Sequence, residues 1–222
     1  MPAATERKLA ALLLLLTAVA GLVDSVSYLQ LGHTFVANMT GNIVFVGFAV
    51  AGAPGLSLLS SIIAIAAFGA GALAAGRIAH RRDFGKSELL RDMAAVELVL
   101  VALATATHLV ERSPDGFGAH ATVAFLAAAM GIQSAMTGRL AIRGFNSTVV
   151  LTTMLGTLAA GSRLAGGTGA DNGRRALAIL AMLAGALAGA LVTLHGLPLA
   201  PLLVALAALA VVASAAQVVG SD

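Results

Sequence analysis

Long apolar runs, separated by short polar or charged segments, follow one another along the whole chain. Six of these runs are close to about 20 residues long, the length that an α-helix needs to cross the hydrocarbon core of a bilayer. They lie at about 9–31, 56–78, 93–110, 119–138, 176–195 and 198–218. The pattern therefore predicts an all-α, polytopic bundle of transmembrane helices that forms a single membrane domain over residues 1–222.

Two further apolar stretches, 34–53 and 145–162, differ from the six because polar residues and glycine open each of them. They could cross the membrane as short spans, or re-enter it and leave on the same side. If both crossed, the basic loop at 77–91 would lie on the opposite side from Arg7 and Lys8. Re-entry instead puts all the basic clusters on one side, which favours two re-entrant segments and cytoplasmic chain ends. Re-entrant backbone requires a cavity or a packed protein interior around it.

Composition agrees with a membrane protein, since 59% of the 222 residues are apolar, 10% are charged and the mean hydropathy is +0.97. A soluble domain averages about 25% charged residues. The chain has no cysteine, which excludes disulfides, a thiolate nucleophile and thiolate-bound zinc. Its sequence pI of about 10.2 comes from basic clusters between apolar runs, and only 4% of residues are aromatic. We therefore interpret the charge as a topology signal and expect lipid, not nucleic acid, as the surrounding partner.

A weak internal repeat relates the two halves of the chain, about 9–110 and 119–218. Gly21-Leu-Val-Asp-Ser, followed by Phe35 and Thr40-Gly-Asn, is echoed by Gly131-Ile-Gln-Ser-Ala, Phe145 and Leu155-Gly-Thr. Three crossings per half would place the halves in opposite orientations, as in the inverted repeats of many secondary transporters. The alternative is chance similarity, because glycine and threonine are common in membrane helices.

Asp24 is the most informative single residue in these runs. An ionised carboxylate in the middle of a span costs at least about 2.5 kcal/mol, and such residues usually mark an ion or substrate pathway. The alternative is a hydrogen-bonded Asp24 that ties helices together through Ser27, Asn38 or Asn42. Further polar residues that could contact a solute or ion are Asn38, Thr40 and Asn42 in the first stretch and Gln133, Ser134 and Thr153 in the second half. Capping and interhelical hydrogen bonds are the alternative roles for these residues.

Other chemical signals are weak. Glu97 lies one turn inside the predicted 93–110 span, either as a solvated interfacial carboxylate or as a group paired with an arginine or with the Asp24 region. The five histidines have no metal-binding helical spacing, and no nucleophile elbow, phosphate-binding loop or zinc-protease motif occurs. The sequence therefore predicts no enzyme activity, no cofactor and no metal site.

The sequence resembles the YoaK-type family of bacterial multi-pass membrane proteins, a domain of unknown function. The residues that carry the resemblance are Gly21-Leu-Val-Asp-Ser-Val-Ser-Tyr-Leu, Phe35-Val-Ala-Asn-Met-Thr-Gly-Asn, Gly131-Ile-Gln-Ser-Ala, Thr152-Thr and Gly156-Thr-Leu. Ser134 and Leu155 replace an Asn and a Thr that the family usually carries in the second half. The resemblance implies an inner-membrane protein without an established activity.

Two classes of function follow from these features. A polar, glycine-interrupted pair of stretches together with Asp24 favours a secondary transporter or channel for a small solute or ion. A non-transporting scaffold or accessory subunit of a membrane complex is the alternative, and it would need neither feature. Small-residue runs at 69–76 and 184–189 suit close helix packing or a homo-oligomer contact.

Overall fold

The computed structural model describes residues 3–81, 85–111, 113, 116–140, 159 and 172–221. Within these ranges the chain forms seven helices and no strand. They are α1 (Ala3–Gln30), α2 (Met39–Val50), α3 (Leu58–Arg81), α4 (Lys86–Val110), α5 (Phe117–Leu140), α6 (Asn172–Leu194) and α7 (Ala200–Ser221). Six are long and apolar enough to span a bilayer, which confirms the predicted six-span helical bundle.

The direction of each span follows from the contacts at the two ends of the bundle. At one end, the Gln30 side chain is 3.0 Å from His108 Nε2 and donates to the Pro198 carbonyl oxygen at 3.1 Å. At the other end, Glu6 pairs with Arg174 at 3.1 Å. We call these the Gln30 end and the Glu6 end. Helices α1, α4 and α6 therefore run toward the Gln30 end, while α3, α5 and α7 run back, and both described chain termini lie at the Glu6 end.

The segment between α1 and α3 does not cross the bundle. The Ser57 amide, just before α3, donates to the Gly32 carbonyl oxygen, just after α1, at 3.4 Å. Because both residues lie at the Gln30 end, the intervening chain enters and leaves on one side. Helix α2 has only 12 residues, about 18 Å of helix. The structure thus agrees with re-entry for the 34–53 stretch, whereas the 145–162 stretch lies outside the described residues apart from residue 159.

Helix α4 begins well before the start predicted at residue 93. Its first residue is Lys86, and the Gly85 amide donates to the Glu88 carboxylate at 3.1 Å, which closes the N-terminal turn. An apolar run marks only the part of a helix that needs a hydrophobic environment, since backbone hydrogen bonding continues past it. This extension moves every residue of the predicted span deeper into the helix.

Helices α1 and α6 cross at a pair of glycines. A Cβ atom on Gly21 would overlap the Met182 carbonyl oxygen, and one on Gly185 would overlap the Ala18 carbonyl oxygen. The two backbones therefore touch where only glycine fits, as expected for membrane helices that pack without a hydrophobic driving force.

Helices α3 and α5 cross in the same way. A Cβ on Gly71 would overlap the Ala128 carbonyl oxygen, and one on Gly131 would overlap the Phe68 carbonyl oxygen. In each of the four helices, the contacted carbonyl lies three residues before the glycine. The contacts are therefore equivalent at both crossings.

Candidate functional site

Asp24 holds the start of the re-entrant segment. It lies in the last third of α1, only 5% exposed, at about 9 Å from the end of that helix. Its Oδ1 accepts the backbone amides of Val36 and Ala37, each at 2.8 Å. Because these two amides belong to the loop that leaves α1, the hydrogen bonds fold residues 31–38 back into the bundle alongside the helix that precedes them.

Asn42 holds the other side of the same loop. The side chain is fully buried, and its Oδ1 accepts the Phe35 amide at 2.9 Å while its Nδ2 donates to the Phe35 carbonyl oxygen at 2.6 Å. One amide side chain thus satisfies both polar backbone groups of a residue that has no helical partners. Asn38 and Thr40, by contrast, are exposed, and Asn38 makes no capping hydrogen bond with its side chain.

Aromatic rings pack around this loop. Tyr28, the only tyrosine in the chain, stacks on Phe35 with ring centroids 5.1 Å apart and meets His33 edge-on at 5.1 Å. Phe45 of α2 stacks on Phe35 at 5.6 Å. A Cβ on Gly41 would lie 2.9 Å from the Phe35 ring, so the glycine makes room for it. Neither Tyr28 nor Phe45 was among the site residues predicted from the sequence.

The turn from α1 into the loop uses two consecutive residues with positive φ, Gly32 at 83° and His33 at 56°. A non-glycine residue in this region is uncommon and mildly strained. Beside this turn lies a cavity of about 510 Å³, between the end of α1 and the start of α3. Its polar lining comes from Tyr28, Gln30, His33 and Ser57. The loop is thus reached from the Gln30 end.

The predicted site residues of the second half lie elsewhere. Gln133 of α5 donates through Nε2 to the Leu16 carbonyl oxygen at 3.3 Å, and Leu16 is about 12 Å along α1 from Asp24. Ser134 is buried on the same helix, and Thr153 lies outside the described residues. The structure therefore brings Asp24 and Asn42 to one loop, places Asn38 and Thr40 at its surface, and does not bring Gln133 to Asp24.

Glu97 is the residue whose environment differs most from the sequence-based interpretation. It lies about 16 Å from the first residue of α4, not one turn inside a boundary, because α4 starts at Lys86. It is 0% exposed, and neither carboxyl oxygen has a hydrogen-bond partner among the described residues. Neither Asp24 nor any arginine among the described residues therefore hydrogen-bonds to it, as the sequence-based interpretation had allowed.

A signal for the burial of Glu97 was present in the sequence. Leu90, Ala94, Glu97 and Val101 follow one another at helical spacing, and all four are buried. Residues three and four apart share one face of a helix, so the apolar members of this stripe indicate that Glu97 faces the bundle interior. The expected helix start at 93 concealed this pattern.

Six membrane-length helices and a re-entrant helical segment define a polytopic α-helical membrane protein. The chain belongs to the family described as protein of unknown function (DUF1275), whose profile matches residues 12–215. It is similar to the UPF0700 transmembrane protein YoaK of Bacillus subtilis (strain 168), with 32% identity over 149 residues. The match covers 66% of this chain and 64% of that protein, slightly less than two thirds of its length. No solved structure matches. These findings confirm the resemblance noted from the motifs.

Proposed function

We propose that this protein is a secondary transporter or channel for a small solute or ion, and that the re-entrant segment forms part of the pathway. The observation that carries the proposal is the loop at residues 31–38, which enters the bundle and is held there by Asp24 and Asn42. Non-helical backbone at membrane depth is tolerated only where protein buries it or where it lines a water-filled cavity. Broken segments of this kind hold the substrate sites of many secondary transporters.

The two helix crossings at glycine support the proposal, because they are consistent with an inverted repeat. If α1 is exchanged with α5 and α3 with α6, the α1/α6 crossing maps onto the α5/α3 crossing, with Gly21 on Gly131 and Gly185 on Gly71. The first pair is the one that the sequence repeat aligns. The exchanged helices run in opposite directions, which supports the proposal that the halves at about 9–110 and 119–218 are related by inversion. Rocking of one such half against the other is the usual basis of alternating access.

The residues of the loop have separate roles in this proposal. Asp24 and Asn42 position the backbone, while the exposed side chains of Asn38 and Thr40 contact the solute. The cavity beside Tyr28 and Gln30 is the entrance from the Gln30 end. By the sequence repeat, Gln133, Ser134 and Thr153 correspond to this region in the second half, and Thr153 lies outside the described residues.

The charge distribution supports an orientation in the plasma (inner) membrane. Basic residues of the described helices gather at the Glu6 end, including Arg7, Lys8, Arg139 and Arg174. Positive charge beside spans favours the cytoplasmic side, so we propose that the Glu6 end, with both termini, is cytoplasmic.

Transport is tested by reconstituting the full chain into liposomes and recording currents on a solid-supported membrane. The probes are alkali-metal chlorides, ammonium chloride, amino acids and monocarboxylates. We expect at least one probe to give a current that protein-free liposomes lack. Replacing both Asn38 and Thr40 by Ala should reduce that current at least several-fold while the variant inserts normally. Absence of current with every probe, from protein shown to be folded, would favour the scaffold or accessory-subunit alternative.

A further inference from the structure

We propose that Glu97 is a proton-binding site in the membrane interior: its carboxyl is neutral in the conformation described here and releases and takes up a proton during the working cycle. The proposal that Glu97 binds a proton depends only on the local geometry around its carboxyl group. Its role as the coupling group rests on the transport function proposed above. Neither the sequence motifs nor the family description assigns this residue.

The first support is that no described residue offers the Glu97 carboxyl group a hydrogen bond. Glu97 is fully buried in the middle of α4, and neither oxygen accepts a hydrogen bond from a described residue. A buried carboxylate without a partner is strongly unfavourable, whereas a neutral carboxyl avoids most of that cost. Ionisable residues with this placement in membrane spans usually belong to ion or proton pathways.

The second support is the distance to other charges on the neighbouring helices. Helix α4 packs against α5 and α7. The charged or titratable residues of α5 are His120, near the Gln30 end, and Arg139, near the Glu6 end, whose guanidinium donates to the Ala79 carbonyl oxygen at 2.9 Å. Helix α7 has none between residues 200 and 221. At the depth of Glu97 in the bundle, helices α5 and α7 therefore have only uncharged residues.

The charged residues of α4 itself are also remote from Glu97 or already engaged. Lys86 and Glu88 occupy the first turn, and Asp92 pairs with Arg91 at 2.7 Å. His108 lies about 16 Å from Glu97 along the helix axis. With no described fixed cation nearby, a mobile cation has to neutralise the carboxylate, and the proton is the smallest one.

The third support is a route to the Gln30 end. Val101, Thr105 and His108 continue the buried face of α4 from Glu97 at helical spacing. His108 Nε2 lies 3.0 Å from Gln30 Oε1, and Gln30 lines the cavity at that end. The polar groups on this face, Thr105 and His108, thus lead from the cavity toward Glu97.

Asp24, the other buried carboxyl among the described residues, is less suited to this role. Its Oδ1 accepts two amides of the re-entrant loop, so a change in its protonation would alter the hydrogen bonds that hold the loop. Glu97 has no such bonds to break. The structure therefore assigns the two carboxyls different tasks, positioning for Asp24 and proton binding for Glu97.

The direct test is labelling of the full chain with N,N′-dicyclohexylcarbodiimide, an apolar reagent that enters membranes and reacts with protonated carboxyls. The acid O–H adds across one C=N bond to give an O-acylisourea, and acyl transfer to nitrogen gives a stable N-acylurea without loss of any atom. Peptide mass spectrometry should locate the adduct on Glu97. Labelling should fall as pH rises, since only the protonated form reacts.

Two isosteric variants control the labelling experiment. Glu97→Gln should abolish the adduct, and Asp24→Asn should retain it. Because a bulky reagent can fail to reach a buried group, the C=O stretch of a protonated carboxyl is also measured by infrared spectroscopy in wild type and Glu97→Gln. The proposal is overturned if neither an adduct on Glu97 nor a carboxyl band that is lost in Glu97→Gln is found, whether or not Asp24 is labelled.

Flux measurements separate this proposal from the proposed transport function. For any probe that the wild type transports, the solute flux driven by a pH gradient should be at least 10-fold lower in Glu97→Gln than in wild type. Exchange of the same solute at equal pH on both sides should continue in this variant. An unchanged response to the pH gradient overturns the coupling role. If Glu97 is labelled but the protein transports no probe, the result would support the proton-binding site and contradict the proposed transport function.

Discussion

The buried polar residues of the bundle divide according to what their polar atoms contact. Asp24, Asn42 and Gln133 bind backbone groups of residues that lie 12, 7 and 117 positions away, respectively. The bonds of Asp24 and Asn42 satisfy backbone groups of the loop, where a missing partner is costly, whereas Gln133 donates to a carbonyl oxygen within helix α1. Glu97 has no such bond among the described residues. Residues chosen from the sequence as solute contacts therefore include two, Asp24 and Asn42, that build the loop.

The first prediction concerns the two amides bound by Asp24. In Asp24→Ala both amides lose their acceptor, and each orphaned N–H costs about 1–3 kcal/mol. We expect the free energy of unfolding to fall by about 2–5 kcal/mol, as measured by equilibrium unfolding with SDS in mixed micelles. Asp24→Asn keeps an oxygen acceptor and should lose much less. Equal losses in the two variants would show that the Val36 and Ala37 hydrogen bonds do not stabilise the fold.

At the scale of helices, the two crossings bring backbones into contact at glycine. A carbonyl oxygen occupies the space that a side chain would need at Gly21, Gly71, Gly131 and Gly185. Some other glycines in the same helices face open space, including Gly69 of α3 and Gly138 of α5. Glycine content alone therefore does not identify a crossing, but the structure separates contact glycines from the others.

The second prediction compares two glycines of α3. Gly71→Ala would push a methyl group into the Ala128 carbonyl oxygen, and overpacking of this kind costs about 1–3 kcal/mol. Gly69→Ala meets nothing within 4 Å and should be neutral or stabilising by up to about 1 kcal/mol, since alanine is the better helix former. Both are measured by unfolding in mixed micelles. Similar stability of the two variants would contradict the described α3/α5 crossing.

At the scale of the whole molecule, the paths of α1 to α3 decide the topology. Because Gly32 and Ser57 lie at one end, α2 adds no crossing. Six spans then leave both described termini on the same side. This arrangement is also what permits the halves to be inverted relative to each other.

The third prediction uses the absence of cysteine from the chain. Single variants Asn38→Cys, Ser57→Cys and Ser87→Cys are labelled in intact cells with a membrane-impermeant maleimide. Ser57→Cys and Asn38→Cys, at the Gln30 end, should react from outside, whereas Ser87→Cys, at the start of α4, should react only after lysis. Labelling of Ser57→Cys and Ser87→Cys from the same side would mean that α3 does not cross, and would contradict the proposed inverted repeat.

The positions of the spans and of the re-entrant segment after α1 could be predicted from the amino-acid sequence, because their causes are local. A run of apolar residues long enough for the bilayer becomes a helix, since the helix satisfies its own backbone hydrogen bonds. Polar residues and glycine between 32 and 42 interrupt that pattern. Clustered basic residues likewise mark one side of the membrane.

Only the tertiary structure decided which polar group meets which partner. Gln133 donates to the carbonyl oxygen of Leu16, and Gly21 contacts the backbone of Met182. Both contacts join residues that are far apart in the chain. A glycine in the sequence indicates that another helix can approach closely, but it does not indicate which helix does so. The burial of Glu97 likewise depended on where α4 begins and on which helices, α5 and α7, cover its face. Local apolar patterns determine the helices, and the packing between helices determines the environment of their polar groups.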